Sequence, residues 1–409
     1  MNLCFIADLR SAIAQNWIGY FASHDHTVHV ISSYPCHPDL ISNTQVYQVP
    51  IAFSGFSCIF QNGSIENKQD RPWYASILSN LRSGPLSQVV SEVRFWVTPL
   101  EVYRHISRIQ SYIHDISPDL VHALRIPFEG IVAAKATPAQ IPLITSVWGN
   151  DFTLFARRFP LIGWQTRQTL ARTDALHCDC HRDAKLAGSW GFAPGKPIRV
   201  LPSSGGIQRD VFYPDKPDVT LRERLSISLD SPVIINPRGI RLYVSNESFF
   251  HALSIVVNTH PNVAVLCSGM EANPAAEQWV RKYDLERNVR LLPLVSREVM
   301  ADLFRLADIT VSPSLHDGTP NTLLESMACG CFPVAGDIES IREWITNDKN
   351  GLLCDPTNPE YLAKAMQQAL DDDDLRQRAR KHNVGLIAEH AEYRHVMVKA
   401  EQFYRQVIG

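Results

Sequence analysis

Two carboxylates, Asp317 and Glu325, frame the run Ser312-Pro313-Ser314-Leu315-His316-Asp317-Gly318-Thr319-Pro320-Asn321-Thr322-Leu323-Leu324-Glu325-Ser326-Met327-Ala328-Cys329-Gly330-Cys331. The residues before it, Ala307-Asp308-Ile309-Thr310-Val311-Ser312, read as a short buried strand, and Leu323 to Ala328 are strong helix formers. Gly318, Pro320 and Asn321 between them are the residues of a tight turn. A strand, a glycine-containing turn and a helix start form an anion site, because backbone N–H groups and the positive end of the helix dipole face outward. A carboxylate beside such a site can hold sugar or ribose hydroxyls while the amides hold phosphate.

The elements that must position this run follow from the rest of the chain. Its 409 residues exceed the size at which one core stops growing, so two domains are expected. Apolar runs recur with helical stretches between them: Leu3 to Ala7, Thr27 to Ser32, Leu120 to His122, Leu143 to Val147, Ala175 to Cys178 and Ile198 to Leu201. After Pro202 the series restarts with Val233 to Ile235, Val263 to Leu266, Val289 to Leu292, Ile309 to Val311, Phe332 to Val334 and Gly351 to Leu353. Alternating strands and helices predict parallel sheets covered on both faces, an α/β class with two Rossmann-like domains. Gly, Ser and Pro cluster at Pro202 to Gly206 and Tyr213 to Pro217, which places the first domain at 1–205 and the second at 206–387. The last helical stretch, about residues 388–409, is expected to cross back to the first domain.

On these residues the chain resembles the retaining glycosyltransferases of family 4, whose E-x7-E signature is here D-x7-E from Asp317 to Glu325. The resemblance implies the GT-B fold, two Rossmann-like domains facing across a cleft. It gives Asp317 to the donor sugar and Glu325 to the ribose. The backbone of Gly318, Thr319, Pro320, Asn321, Thr322 and Leu323 goes to sugar and diphosphate. Gly205 to Pro214 is similar to the family's interdomain linker, and Val233 to Arg238 to the strand that delivers a phosphate-binding arginine, Arg238. The lysine expected shortly after it is replaced by Tyr243 and Val244, and Arg241 stands in for it. Val289 to Val295 resembles the segment whose main chain reads the nucleobase around Leu294. Uracil, guanine and adenine stay open on this reading, with a UDP-sugar the commonest choice.

Acceptor-side residues implied by the same resemblance are His122 and Arg125 in one loop, Trp148 and Asp151 in a second, and Ser11 in the first strand-to-helix turn. The second histidine of the family's His-x-His is Leu124 here. Asp151 is the candidate hydroxyl contact or base, and Asp317, Arg238 and Asp151 form the expected catalytic set. The implied function is metal-independent, retaining transfer of a hexose to a carbohydrate or lipid-linked hydroxyl acceptor in polysaccharide or glycoconjugate biosynthesis, without any cofactor. The departures at Asp317, at the lysine and at the second histidine give an alternative, a non-catalytic scaffold partner that binds nucleotide sugar in a glycan assembly complex.

Composition bounds the partners. With a net charge of −3 no nucleic-acid partner is expected. Residues 1–205 carry 17 Lys/Arg and 14 Asp/Glu, the remainder 22 and 28, so the first half is the one to meet an anionic acceptor or membrane surface. A basic and aromatic stretch from Arg71-Pro72-Trp73-Tyr74 through Arg94-Phe95-Trp96 to Tyr103-Arg104 is the candidate for peripheral membrane contact. No apolar run approaches the roughly 20 residues of a membrane span, and nine cysteines scattered over the chain suit reduced thiols, so a cytoplasmic location at the inner membrane face is expected. His177-Cys178-Asp179-Cys180-His181 offers metal-ligand types, but alternate strand residues point to opposite faces and no metal is assigned.

Overall fold

The computed structural model describes residues 1–51, 95, 96 and 101–409. It divides into two compact units, Met1–Gly205 with Lys399–Gly409, and Gly206–Val398. In the first, strands β1 (Asn2–Ala7), β2 (Thr27–Ser32), β3 (Thr44–Gln48), β4 (Leu120–Ala123), β5 (Leu143–Val147), β6 (Ala175–Cys178) and β7 (Ile198–Val200) form a parallel sheet in the order β3-β2-β1-β4-β5-β6-β7. Leu3 to Ala7 of β1 are buried throughout, as expected where helices cover both faces of a parallel sheet. The strand missing from the sequence reading is β3. It is a half-exposed edge strand, Thr-Gln-Val-Tyr-Gln, too polar to signal a core element.

The second unit holds β8 (Val233–Asn236), β9 (Ala264–Ser268), β10 (Val289–Leu292), β11 (Ile309–Ser312), β12 (Phe332–Gly336) and β13 (Leu352–Cys354), all parallel, in the order β10-β9-β8-β11-β12-β13. Each sheet reverses its direction of growth once, between β1 and β4 in the first unit and between β8 and β11 in the second. Loops leaving the strands at such a switch point diverge and open a crevice at the carboxyl ends of the strands.

Helix Asn321–Ala328 shows how sequence periodicity turns a loop toward that crevice. Leu323, Leu324 and Met327 sink into a core with Ile235, Leu266 and Phe304. Each buried leucine contributes about 1.5–3 kcal/mol. Three inward positions at that spacing leave Asn321, Thr322 and Glu325 on the half-buried opposite face.

Helix Asp373–His390 stays with the second unit, where Ile387 is buried and Asn383 bonds to Asn350. The return to the first unit is made by Lys399–Gly409 within helix Tyr393–Ile408, later than the sequence placed it. Tyr404 anchors it there. Trp17 Nε1 donates to Tyr404 Oη at 2.8 Å, and the Phe21 ring stacks on Tyr404 at 4.6 Å. No described helix is long and apolar enough to cross a membrane.

Candidate functional site

Arg238 stands just past β8 and Asp317 past β11, on opposite sides of the switch point of the second unit. Asn236 Oδ1 accepts from the Arg238 amide at 3.0 Å, and the next residue, Gly239, turns the chain with φ 62°. The guanidinium is 8% exposed. Its Nη2 reaches Asp317 Oδ2 at 2.5 Å and its Nη1 reaches Thr322 Oγ1 at 3.1 Å. Nε is buried with no hydrogen-bond partner among the described residues. An unmet buried donor costs about 1–3 kcal/mol, and a ligand oxygen would recover it.

The Asp317 loop is pinned from behind. Asp317 Oδ1 accepts from the Gly318 amide at 3.1 Å, Ser340 Oγ donates to the Asp317 carbonyl at 2.8 Å, and Trp344 Nε1 donates to Thr319 Oγ1 at 3.2 Å. Pro320 then takes the N-cap position of helix Asn321–Ala328. The first-turn amides of a helix have no acceptor within it, so Arg238 lies beside a positive helix end. Arg241 is exposed and tied to the same spot, its Nε donating to the Arg238 carbonyl at 3.0 Å. Tyr243 and Val244, which replace the expected lysine, bond instead to the Leu315 amide and bridge to Ser314.

Leu294, past β10, is 90% exposed and rests over Gly269, past β9: a Cβ at Gly269 would come within 3.1 Å of Leu294 Cδ2. A Cβ at Gly239 would lie 3.8 Å from Gly269 O, so the loops after β8, β9 and β10 meet beside Arg238. Glu325 stands one helical turn beyond Asn321 and makes no ion pair with Arg238. Burial pushes its carboxyl up to about 7 against the opposing charge of Arg297, itself bonded to Gln208 at 2.9 Å.

In the first unit the expected residues separate into two groups. Asp151 is 1% exposed; Oδ1 accepts from Arg125 Nε at 3.0 Å, and Oδ2 accepts from the amides of Trp148 at 3.0 Å and Ile126 at 3.4 Å. Burial raises its pKa, while Arg125 and the amides hold it down. With both oxygens engaged Asp151 ties the loops after β4 and β5 together and positions Arg125. Ser11 heads helix Ala12–Ala22 without a side-chain cap bond, its amide closing the turn on Asp8 O at 3.0 Å.

His122 leaves this group. It is 1% exposed, bonded through Nδ1 to Tyr404 Oη and through Nε2 to Ser146 Oγ at 2.8 Å, which in turn meets His177 Nδ1 at 2.8 Å. Burial and the neighbouring imidazole keep His122 neutral, and burial takes His177 down to about 4. His122 therefore joins an internal network of hydrogen bonds. His177 of the cysteine-rich run belongs to the same network. Asp179, Cys180 and Asp183 do converge within 4.8 Å of one another, with Arg182 paired to Asp183 at 2.9 Å and bonded to the Gly149 carbonyl at 2.7 Å. The guanidinium supplies the matching charge there.

Sequence reading missed Asp8, Arg10, Ser33 and Glu129, which gather at the carboxyl ends of β1, β2 and β4. Asp8 carried a signal, a charge directly after a buried run. Of the basic and aromatic stretch, Arg71, Pro72, Trp73, Tyr74 and Arg94 lie outside the described residues, and Phe95 stacks on Phe128 and Phe159.

Two family models cover most of the chain. Residues 14–203 match the family described as glycosyl transferase 4-like domain, and residues 220–383 match glycosyl transferases group 1. D-inositol 3-phosphate glycosyltransferase of Xylanimonas cellulosilytica is 30% identical over 221 residues, 52% of this chain and 52% of that protein. The enzyme of the same name from Thermobispora bispora is 27% identical over 188 residues, 44% of each. The chain thus spans about half the length of the curated relatives it matches. Sucrose-phosphate synthase of Thermosynechococcus elongatus superposes with a TM-score of 0.73 at 15% identity, covering 99% of this chain and 98% of that one. Anabaena Alr3699/HepE, solved in complex with UDP-glucose, gives 0.70 at 13% identity over 99% of each chain. The protein is built of a glycosyl transferase 4-like domain followed by a glycosyl transferases group 1 domain, on the GT-B pattern of two parallel-sheet Rossmann-like units.

Proposed function

We propose that this protein transfers a hexose from a UDP-sugar to a hydroxyl acceptor with retention of anomeric configuration and without a metal ion. The observation that carries this reading is the Arg238 guanidinium, buried at the switch point beside a helix N-terminus with its Nε unmet. Such a group is an anion clamp waiting for oxygen ligands. The relatives named as glycosyltransferases and the HepE complex with UDP-glucose support a nucleotide-sugar donor.

Departure of the nucleoside diphosphate is the difficult step. Arg238, Arg241 and the backbone N–H groups from Gly318 to Leu323 other than Pro320, which has none, stabilise its growing charge in place of a metal, a contribution of several kcal/mol for preorganised donors. Asp317 orients the sugar, Glu325 holds the ribose hydroxyls, and the main chain at Leu294 meets the base. The bond from the anomeric carbon to the phosphate oxygen breaks. The acceptor oxygen bonds to the same face, and its proton passes to the departing phosphate.

Turnover of UDP-glucose, read as UDP release, tests the reading. Wild-type protein releases UDP in excess EDTA, and purified, folded Asp317→Ala does not. Unchanged turnover in Asp317→Ala, or activity restored only by added Mg²⁺ or Mn²⁺, would overturn it. Binding of UDP-glucose with no turnover by the wild type would assign the non-catalytic scaffold instead.

A further inference from the structure

The first unit has a switch point of its own, between β1 and β4. Their register pairs Ile6 with Ala123, so the chain leaves both strands at the same level, with Asp8 on one side and Arg125 on the other. Three loops bring polar groups to this edge: Asp8 and Arg10 after β1, Ser33 and Tyr34 after β2, and Arg125 and Glu129 after β4. The side chains of Asp8, Arg10 and Arg125 keep 29%, 31% and 31% exposure. Glu129 lies deeper, at 5%. Ser33 Oγ donates to Glu129 Oε1 at 2.5 Å. Burial pushes the Glu129 carboxyl up to about 7, Ser33 opposing and nearby Asp8 adding to the rise.

Two features set this carboxyl apart from packing. An apolar side chain would fill a buried position without the desolvation cost that a carboxyl carries, so perturbed buried acids concentrate at functional sites. The residue before it is also strained. Phe128 has φ 74° and ψ −61°, a γ-turn conformation that is strained for a non-glycine residue. The Phe128 ring, stacked on Phe95 at 5.6 Å, holds that turn, and the turn holds Glu129 against Ser33.

Charge at the edge is matched internally. Asp8 takes Arg10 through two contacts of 3.0 Å, and Asp151 takes Arg125 at 3.0 Å. A phosphate arriving here would meet guanidiniums whose charge is already offset by a carboxylate, with Asp8 and Glu129 beside them. Hydroxyls, which donate and accept in turn, suit paired ions and a carboxyl without adding charge.

We infer that Glu129, seated by Ser33, contacts a hydroxyl of the acceptor and that the acceptor group at this edge is a neutral polyol rather than a phosphorylated one. The inference rests on the glycosyltransferase reading. It also separates this protein from relatives named for D-inositol 3-phosphate.

Saturation-transfer NMR on the full chain without donor tests it, using myo-inositol, methyl α-D-glucopyranoside and D-inositol 3-phosphate as probes. Expected is binding of at least one neutral probe with a dissociation constant in the millimolar range. Glu129→Ala weakens it about tenfold, while Glu129→Gln, which keeps a donor and an acceptor, binds as the wild type does. Inositol phosphate binds no tighter than inositol. Tenfold tighter binding of the phosphate, failure of both neutral probes, or wild-type binding by Glu129→Ala overturns the inference. Should Glu129→Ala lose its circular dichroism, Ser33→Ala decides, and unchanged binding in that variant is the overturning result. Because no donor is present, failure here is separate from failure of the donor reading, which UDP-glucose turnover decides.

Discussion

At the scale of single residues, an aspartate, Asp317, stands where the resembling family carries glutamate, and it pairs with Arg238. The shorter side chain still reaches the guanidinium, at 2.5 Å, because Ser340 and Trp344 hold its loop forward. Arg238→Ala is expected to lower kcat for UDP-glucose by about 10²–10³, the cost of removing one preorganised donor to a developing anion. Glu325 adds a pH dependence. Its folded pKa of about 7 lies above its ordinary value of 4.5, so the stability it contributes is whole below 4.5 and is lost as pH rises through about 7. Glu325→Gln escapes that loss. The melting temperature of this variant relative to wild type is expected to climb by about 3 °C between pH 4.5 and 7.5, and a flat difference in thermal melts would contradict the assignment. Residue type and loop position single out Asp317, Glu325 and Arg238 in the sequence, and the structure brings Arg238 and Asp317 together. Nothing in the residue types of Asp151 and His122 says whether a polar atom faces a pocket or a partner, and only the fold shows the internal partners that each has.

At the scale of elements, backbone geometry sets the constraints. Gly206 has φ 98°, and a Cβ there would lie 2.5 Å from the Ala391 carbonyl, to whose oxygen Ile207 N also bonds at 2.7 Å. Gly206→Ala is expected to destabilise the protein by more than about 1 kcal/mol, since both the conformation and the space exclude a side chain; urea denaturation measures it. Tyr404→Phe removes the hydroxyl shared by Trp17 and His122, leaving two buried polar groups unmet at a cost of about 1–3 kcal/mol. UDP-glucose binding should be unaffected, because that network lies wholly in the first unit. The alternation of apolar runs and helical stretches made most strands and their parallel sheets predictable. The edge strand β3 was not, because half-exposed residues carry no continuous apolar run.

For the whole molecule, the chain's two ends meet in one unit: Lys399–Gly409 complete the domain that begins at Met1. Removing those residues exposes Trp17 and Phe21, which are buried in part by Tyr404. The truncated chain is expected to melt in two steps, with the first unit lost at the lower temperature and UDP binding persisting through that step. Sequence alone determined the two α/β units and the D-x7-E loop at a helix start, since apolar periodicity and turn chemistry are local properties written in order along the chain. Only the tertiary structure decided that Asp8, Ser33 and Glu129 share one edge, that His122 lies inside, and that Arg238 Nε has no partner among the described residues. Those facts depend on which strand ends become neighbours in a sheet, and that pairing joins residues too far apart in the chain for any local pattern to record.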